Sequence, residues 1–364
     1  MSIFLFKWQV NNTKIRYRFE KFLVINLYYM FIWIWILTFL VNNTSEMTKH
    51  HHTENGFKNN YPIEEHGFSS LLKWQFSSMG KRGKILAIPV EKPDVDFIKN
   101  NKSEPNLVWI NHATFLLQYE GINILTDPIF SERCSPVQWA GPKRTTKSGM
   151  QISELPEIDF IIISHDHYDH LDVESILAIQ EKQKENPPKW YVPLKIKAWF
   201  EEIGVSNVEE LDWWDSSTFA NFEIHCVPAQ HFSGRGVMNR NGTLWAGWVL
   251  VKNDFRYYFA GDTGYSPDFK VIGERLGPFD LSCIPIGAYN PRWFMGGVHV
   301  DPKEAVEIHI DVKSKLSVGM HWGTFPLADE DMDEPPKKLK ETLEKKGISE
   351  NEFIVLKNGG SIRF

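Results

Sequence analysis

The chain has 364 residues, enough for one large domain or two of ordinary size. Its formal net charge of −6 supplies no basic field of the kind that nucleic-acid-binding proteins show, so we expect no nucleic-acid partner. The three cysteines, Cys134, Cys226 and Cys283, cannot form a closed disulfide framework, and none belongs to a C-x-x-C pair.

The N-terminal region differs sharply from the rest of the chain. Residues 22–41 form an uncharged apolar run that, at the helical rise of about 1.5 Å per residue, spans roughly 30 Å, the hydrocarbon thickness of a bilayer. Residues 1–21 are basic, and the positive-inside rule would keep them in the cytosol. The sequence therefore predicts membrane localisation through a single N-terminal apolar helix, with its orientation open. A cleavable signal peptide and a true start at Met30 or Met47 are the alternatives.

Residues 42–105 are interpreted as a linker and N-terminal extension, because they show little regular pattern. From residue 106 to residue 364 the sequence alternates between apolar runs and amphipathic stretches, which indicates a folded domain. The predicted strands are 107–110, 114–119, 122–126, 158–164, 190–193, 222–228, 243–251, 257–260, 281–285, 316–320 and 353–355. The predicted helices are 173–185, one ending near residue 203, 302–310 and 336–346. This mixture fits two packed mixed sheets with helices on their outer faces, a four-layer αββα sandwich of the α/β (α+β) class.

An apolar strand runs directly into residues 165–170, which have the pattern H-x-H-x-D-H. Imidazole and carboxylate donors suit Zn²⁺, with Fe or Mn as alternatives. On a tight loop, His165 and His167 can face one metal ion while Asp169 and His170 face a second. The motif therefore predicts a dinuclear hydrolytic site. A histidine-rich solvated loop is the alternative, and the buried type of strand before the motif disfavours it.

Three later strands also end in a candidate ligand on a loop, namely His231, Asp262 and His321. Each is weak alone, because a single histidine after a strand is usually structural and the G-D-T-G sequence around Asp262 also suits an ordinary turn. Their order behind H-x-H-x-D-H makes them strong candidates to complete the metal site.

In this order the motifs resemble those of the metallo-β-lactamase-fold hydrolases. In more detail they are similar to those of the N-acylphosphatidylethanolamine-hydrolysing phospholipase D family, over roughly residues 105–360. The resemblance does not account for the N-terminal apolar run. The segments that carry it are 111–114, 125–130, 141–144, 211–214, 260–265, 284–289, 291–295 and 321–325.

The resemblance implies a set of metal ligands and catalytic residues. It implies His165, His167 and His231 as ligands of one zinc ion, Asp169, His170 and His321 as ligands of a second, and Asp262 as the bridge between the two. Catalysis is expected to involve Asp169, Asp262 and His299, with a hydroxide shared by the two ions as the nucleophile.

The loop 287–300 is the expected substrate-facing loop, and the resemblance implies that His299 on it stabilises charge on a substrate phosphate. A histidine that supports other site residues or lies at the surface is the alternative for His299. Arg292 is expected to pair with that phosphate, with a structural ion pair as the alternative. His112 is expected to give structural support outside the ligand set. The residues expected to contact substrate are Tyr168, Tyr289, Arg292 and His299.

The predicted function is a zinc-dependent phosphodiesterase of the phospholipase D type that converts N-acylphosphatidylethanolamine to an N-acylethanolamine and phosphatidate. The expected partners are the phospholipid and a membrane, and a homodimer stays open. A lactone, a cyclic phosphodiester or another phospholipid is the alternative substrate for the same hydrolase. A metal-stabilised binding module without activity is a further alternative, and the acidic charge balance disfavours a nuclease.

Overall fold

The computed structural model describes residues 49–64, 66–78, 83–236 and 239–364. The chain divides into two units at His52, and the second unit, Thr53–Phe364, contains both seven-stranded sheets. The basic segment 1–21 and the apolar run 22–41 lie outside the described residues.

The predicted membrane localisation through a single N-terminal anchor requires a correction. Within the described ranges, no helix combines the length and the apolar character needed to cross a bilayer. The longest helix of these ranges, Glu334–Lys346, has 13 residues and is rich in lysine and glutamate. At ~1.5 Å per residue it covers about 20 Å, which is shorter than a hydrocarbon core.

The chain before the main sheets has regular structure of its own. Its elements are β1 (His52–Thr53), β2 (Gly56–Phe57), α1 (Phe68–Ser77) and α2 (Val95–Asn100). Helix α2 begins where the Asp94 carboxylate accepts a hydrogen bond from the Phe97 N–H at 3.0 Å, which caps the helix. From Thr53 onwards, the residues interpreted as a linker thus include two helices and lie in the same compact unit as the sheets.

The remaining elements fall into two halves of similar design. The first half contains β3 (Asn106–Asn111), β4 (Thr114–Tyr119), β5 (Ile122–Thr126), β6 (Phe160–Ile162), α3 (Val173–Lys182), β7 (Lys189–Pro193), α4 (Lys197–Glu202) and β8 (Val208–Leu211). The second half contains β9 (Ser216–Phe219), β10 (Phe222–Val227), β11 (Gly247–Lys252), β12 (Phe255–Phe259), α5 (Asp268–Arg275), β13 (Leu281–Pro285), α6 (Arg292–Met295), α7 (Pro302–Asp311), β14 (Ser317–Met320), α8 (Glu334–Lys346), β15 (Phe353–Ile354) and β16 (Ser361–Arg363).

Two seven-stranded mixed sheets result, with the orders β16-β3-β4-β5-β6-β7-β8 and β15-β14-β13-β12-β11-β10-β9. Strands β3 to β5 pair antiparallel, and so do β9 to β12. Strands β5 to β8 and β12 to β15 pair parallel. Parallel neighbours need crossover connections, and helices such as α3 and α7 supply them.

Strand β6 shows how the layers are filled. Its Phe160 and Ile162 belong to the large apolar cluster shared by both sheets, whereas Ile161 and the following Ile163 pack with residues of α3 and α4. This alternation is the two-residue period of a strand whose two faces are both covered. The predicted mixed α/β sandwich of sheets and helices is thereby confirmed.

Candidate metal centre

The candidate ligands lie at one edge of both sheets. Residues 165–170 follow β6 in the first sheet, while Asp262 and His321 follow β12 and β14 in the second. Strand β10, which precedes His231, runs in the same direction as β12 because two antiparallel pairings separate them. All these loops therefore leave the carboxyl ends of their strands, where ligands commonly bind in mixed α/β folds.

One group of donors consists of three histidines. The Nε2 atom of His165 lies 2.8 Å from Nδ1 of His167, and Nε2 of His231 lies 3.2 Å from the same Nδ1. His165 and His231 are buried, and His167 is partly exposed. Three imidazole nitrogens at this spacing have the donor chemistry of a zinc site with an open position.

A second group surrounds the carboxylate of Asp169. Its Oδ2 atom lies 2.9 Å from Nε2 of His112, 3.3 Å from Nε2 of His321 and 3.4 Å from Nε2 of His170. The four side chains offer atoms close enough together to hold one ion. His112 thus lies at the centre, in contact with a predicted ligand.

Asp262 lies between the two groups. Its Oδ2 atom is 3.1 Å from Nε2 of His321 and 3.2 Å from Nε2 of His170. The same atom is 3.9 Å from Nε2 of His231 and 4.0 Å from Nε2 of His165. A carboxylate in this position can serve both groups of donors.

The outer nitrogens of three candidate ligands are held by acceptors. The Nδ1 atom of His170 lies 2.7 Å from Oδ2 of Asp127, and Nδ1 of His231 lies 2.9 Å from the Val298 carbonyl. The Nδ1 atom of His165 lies 2.9 Å from Oγ of Ser164. A proton on each Nδ1 leaves the lone pair of Nε2 pointing into the centre, which is the tautomer that a metal ligand needs.

The charges of the centre are set by burial and by the two carboxylates. Burial lowers the pKa of His165 and His231 well below its usual value, so both imidazoles are neutral at pH 7. Burial alone would also lower the pKa of His321, but Asp262 and Asp169 outweigh it and raise that pKa to about 9. Burial would raise the pKa of Asp262, yet the adjacent imidazoles hold it well below its usual range. The carboxylates thus attract positive charge to this point.

These residues fit a bound metal. Among the described residues, Nε2 of His170 and Oδ1 of Asp262 are buried and have no hydrogen-bond partner. Buried polar atoms without partners are rare in folded proteins. A divalent cation would satisfy both atoms and would balance the two ionised carboxylates, Asp169 and Asp262.

The centre opens into a cavity of about 230 Å³. His299 lines it, with Nδ1 3.9 Å from Oδ2 of Asp262. Burial lowers the pKa of His299 to about 4 despite the attraction of Asp262, so the imidazole is neutral at pH 7. The other walls mix apolar and charged side chains, including Phe232, Phe294, Met295, Leu327, Glu64, His66 and Arg240.

The structure does not bring Tyr168, Tyr289 and Arg292 to the cavity wall. The Tyr168 hydroxyl donates to the Arg235 carbonyl at 2.7 Å, and the Tyr289 hydroxyl donates to the Glu334 carboxylate at 2.6 Å.

Arg292 is likewise engaged with the protein. Its guanidinium donates to Oε2 of Glu304 at 2.6 Å and to the carbonyl of His299 at 2.7 Å. The geometry therefore favours the structural ion pair that was the alternative for Arg292.

Asp127, for which the sequence predicts no role, is fully buried beside the centre. Its carboxylate accepts from the Ser164 N–H at 2.7 Å and from the Ser164 hydroxyl at 2.5 Å, in addition to His170. The available signal was a carboxylate directly after the apolar strand β5, at the same sheet edge as the motif.

The chain matches the family described as "Beta-lactamase superfamily domain" over residues 122–322. The N-acyl-phosphatidylethanolamine-hydrolyzing phospholipase D 1 of Caenorhabditis elegans is 43% identical over 264 residues, which cover 69% of this chain and 73% of that protein. The mitochondrial N-acyl-phosphatidylethanolamine-hydrolyzing phospholipase D of Saccharomyces cerevisiae is 37% identical over 249 residues, which cover 66% of this chain and 52% of that protein.

Two solved structures share the fold. A possible metal-dependent hydrolase from Veillonella parvula superposes with a TM-score of 0.59 at 16% identity, over 72% of this chain and 100% of that chain. An isothiocyanate hydrolase from Delia radicum gut bacteria superposes with a TM-score of 0.57 at 21% identity, over 71% of this chain and 99% of that chain. The chain is therefore a metal-dependent hydrolase that belongs to the N-acylphosphatidylethanolamine-hydrolysing phospholipase D family of the metallo-β-lactamase superfamily.

Proposed function

We propose that the chain is a dinuclear zinc phosphodiesterase that hydrolyses N-acylphosphatidylethanolamine to an N-acylethanolamine and phosphatidate. The observation that carries the proposal is the pair of donor groups that share Asp262 at the floor of a partly apolar cavity. The names of the worm and yeast relatives support the choice of substrate. In this proposal residues 106–364 form the hydrolase domain.

Each donor group would hold one ion. When bound, zinc supplies Lewis acidity toward a phosphoryl oxygen and lowers the pKa of water enough to provide a nucleophile at neutral pH. The ligands would be His165, His167 and His231 in one group, Asp169, His170 and His321 in the other, and Asp262 in both.

His112 would orient Asp169 through their 2.9 Å contact rather than bind metal itself. It meets Asp169 at Oδ2, the oxygen that also faces Nε2 of His170 and of His321, so it approaches from within this donor group. Such a contact fixes the orientation of a ligand carboxylate and strengthens metal binding.

His299 would stabilise the phosphate of the substrate. It lines the cavity 3.9 Å from Asp262, and its buried Nδ1 atom has no hydrogen-bond partner among the described residues. A neutral imidazole can donate one hydrogen bond to a phosphoryl oxygen without adding a charge to the free site. Aimed at the oxygen on which charge grows, that donor would favour the transition state.

Arg240 takes the place that sequence reasoning gave to Arg292 as the cation for the phosphate. Arg240 lines the cavity, and its guanidinium carbon lies 4.0 Å from the centre of the Phe232 ring. The Phe232 ring in turn lies 4.5 Å from the ring of His167. A guanidinium at this rim can reach an anionic head group as it approaches the centre.

The apolar part of the cavity would receive acyl chain. Phe294, Met295 and Leu327 line it together with His299. Apolar side chains provide no hydrogen-bond partners and favour hydrocarbon, whereas a water-soluble lactone or nucleotide would leave them against polar groups. The mixed wall therefore fits a substrate that carries both a phosphodiester and a long chain.

The test is an assay of the purified, zinc-loaded protein on detergent-dispersed N-acylphosphatidylethanolamine, with N-acylethanolamine measured by mass spectrometry. We expect release by the parent protein and none by Asp262→Asn, whose folding is checked by circular dichroism. A panel with phosphatidylethanolamine, a lactone and a cyclic phosphodiester runs in parallel. Absence of N-acylethanolamine at full metal occupancy would refute the substrate, and turnover of a panel member alone would assign the alternative.

A further inference from the structure

The backbone of His231 is paired by a single distant side chain. Asn59 accepts at Oδ1 from the His231 N–H at 3.1 Å and donates from Nδ2 to the His231 carbonyl at 2.8 Å. The two residues are 172 positions apart in the sequence. His231 is buried and lies beyond the end of β10, so no strand neighbour satisfies these two backbone groups.

The amide of Asn59 is itself fixed. Its Oδ1 atom also accepts from the indole N–H of Trp245 at 3.1 Å, and Trp245 is buried. The same indole donates to the carbonyl of Ala229, two residues before His231, at 2.9 Å. Asn59 therefore does what a paired strand would do, presenting one acceptor and one donor to the same residue.

We propose that Asn59 is a positioning residue that sets the imidazole of His231 for metal binding. The inference rests on the proposed function to the extent that His231 holds a metal. The ring of His231 is held at Nδ1 by the Val298 carbonyl, at 2.9 Å. With the backbone held by Asn59 and the ring held by Val298, Nε2 stays directed at His167 and Asp262.

Neighbours of Asn59 lie against the same site. Glu64 and His66 line the cavity, and a Cβ atom placed on Gly297 would meet Cβ of Ile63 at 3.4 Å. The stretch around Asn59 thus contacts the loop that carries Val298 as well as the backbone of a ligand. Asn60, the next residue, instead donates to Oδ1 of Asp268 at 2.9 Å.

The experiment compares Asn59→Ala with Asn60→Ala, which removes the same type of side chain one position further on. Zinc affinities are measured on metal-free protein by competition with a chromophoric chelator, and the cobalt-substituted proteins are compared by visible absorption. We expect Asn59→Ala to bind one of the two zinc ions about 10-fold or more weakly than the parent does, and to change the cobalt absorption spectrum. The affinity of Asn59→Ala for the second zinc ion should stay within about twofold of the parent's. Both affinities of Asn60→Ala should do the same, since Asn60 touches no candidate ligand.

A second variant covers the case in which Asn59→Ala does not fold. Asn59→Asp keeps the shape and both acceptor contacts, but it replaces the donor to the His231 carbonyl with a carboxylate oxygen that repels that carbonyl. We therefore expect one zinc ion to bind at least about threefold more weakly than in the parent. Unchanged zinc affinities in the Asn59 variants, or equal losses in Asn60→Ala, would overturn the inference. A parent protein that binds no zinc would instead refute the proposed function.

Discussion

Replacing Asp127 with asparagine tests whether the protein sets the tautomer of a metal ligand. The Asp127 carboxylate accepts from the Ser164 N–H at Oδ1, and from the Ser164 hydroxyl and Nδ1 of His170 at Oδ2. In Asp127→Asn one oxygen becomes an NH₂ group. The NH₂ group cannot face the Ser164 N–H, because a backbone N–H can only donate and two donors do not pair. It must therefore face the Ser164 hydroxyl and His170. The hydroxyl can turn, but His170 can accept at Nδ1 only if its proton moves to Nε2.

A proton on Nε2 of His170 removes the lone pair that faces Asp169 and Asp262. We therefore expect Asp127→Asn to bind one of two zinc ions about 10 to 100-fold more weakly, which corresponds to about 1.4–2.7 kcal/mol. The assay is a zinc competition titration of metal-free protein. Asp159→Asn is the matched control, because Asp159 accepts from the Asn123 N–H at 2.8 Å and contacts no candidate ligand.

Two zinc affinities within twofold of the parent in Asp127→Asn would refute this reasoning. So would an equal loss in Asp159→Asn, since it would trace the effect to the carboxylate charge and not to the contact with His170. Asp127→Ala provides an independent check on folding. It leaves the Ser164 N–H and the His170 ring without a buried acceptor, at about 1–3 kcal/mol each, so its denaturant midpoint should fall well below that of Asp127→Asn.

Three other changes have defined outcomes. Arg292→Ala breaks the pair with Glu304 and should lower the free energy of unfolding by about 1–2 kcal/mol, with KM within twofold of the parent. Arg240→Gln should raise KM about 10-fold, and the reverse pattern would restore Arg292 as the phosphate cation. Gly261→Ala should cost about 2–4 kcal/mol of unfolding free energy, because φ is +61° and the new Cβ would lie 2.7 Å from Cβ of Ser164; an unchanged midpoint would contradict this packing. Removal of metal by a chelator should abolish activity and lower Tm, and adding zinc back at 100-fold above its Kd should restore about 2.7 kcal/mol of unfolding free energy. Activity that survives metal removal would exclude a metal-dependent reaction.

Most strands could be predicted because they are covered on both faces, and such strands appear in the sequence as continuous apolar runs. The run Ile161-Ile162-Ile163 is apolar throughout, and it packs on the second sheet with one face and on helices with the other. Strand β9 escaped prediction because Ser216–Phe219 is polar and half-exposed at the end of its sheet. The strand predicted over 243–251 begins later, at Gly247, because the N–H of Leu244 donates to the Leu194 carbonyl outside the sheet ladder.

The candidate ligands could be selected from the sequence because each follows a strand with a clear apolar pattern. The residues that form hydrogen bonds to those ligands could not be selected in this way. Asp127 reaches His170 across 43 positions, and Asn59 reaches His231 across 172. No periodicity relates such residues, since only the tertiary fold brings them together. The choice between the two roles of Arg292 stayed open in the sequence for a similar reason, because its partner Glu304 becomes visible only once α6 and α7 pack together.

The placement of the ligands has a consequence for how metal and fold depend on each other. The first half of the sandwich supplies residues 165–170, and the second half supplies His231, Asp262 and His321. Of the candidate ligands, an unfolded chain therefore keeps only those of the H-x-H-x-D-H segment close together, and this segment is too short to complete either donor group. Metal that binds the assembled set binds the folded state preferentially and raises the free energy of unfolding by linkage. The same ions should join the edges of the two sheets, so that metal loss loosens their junction before it affects either apolar cluster.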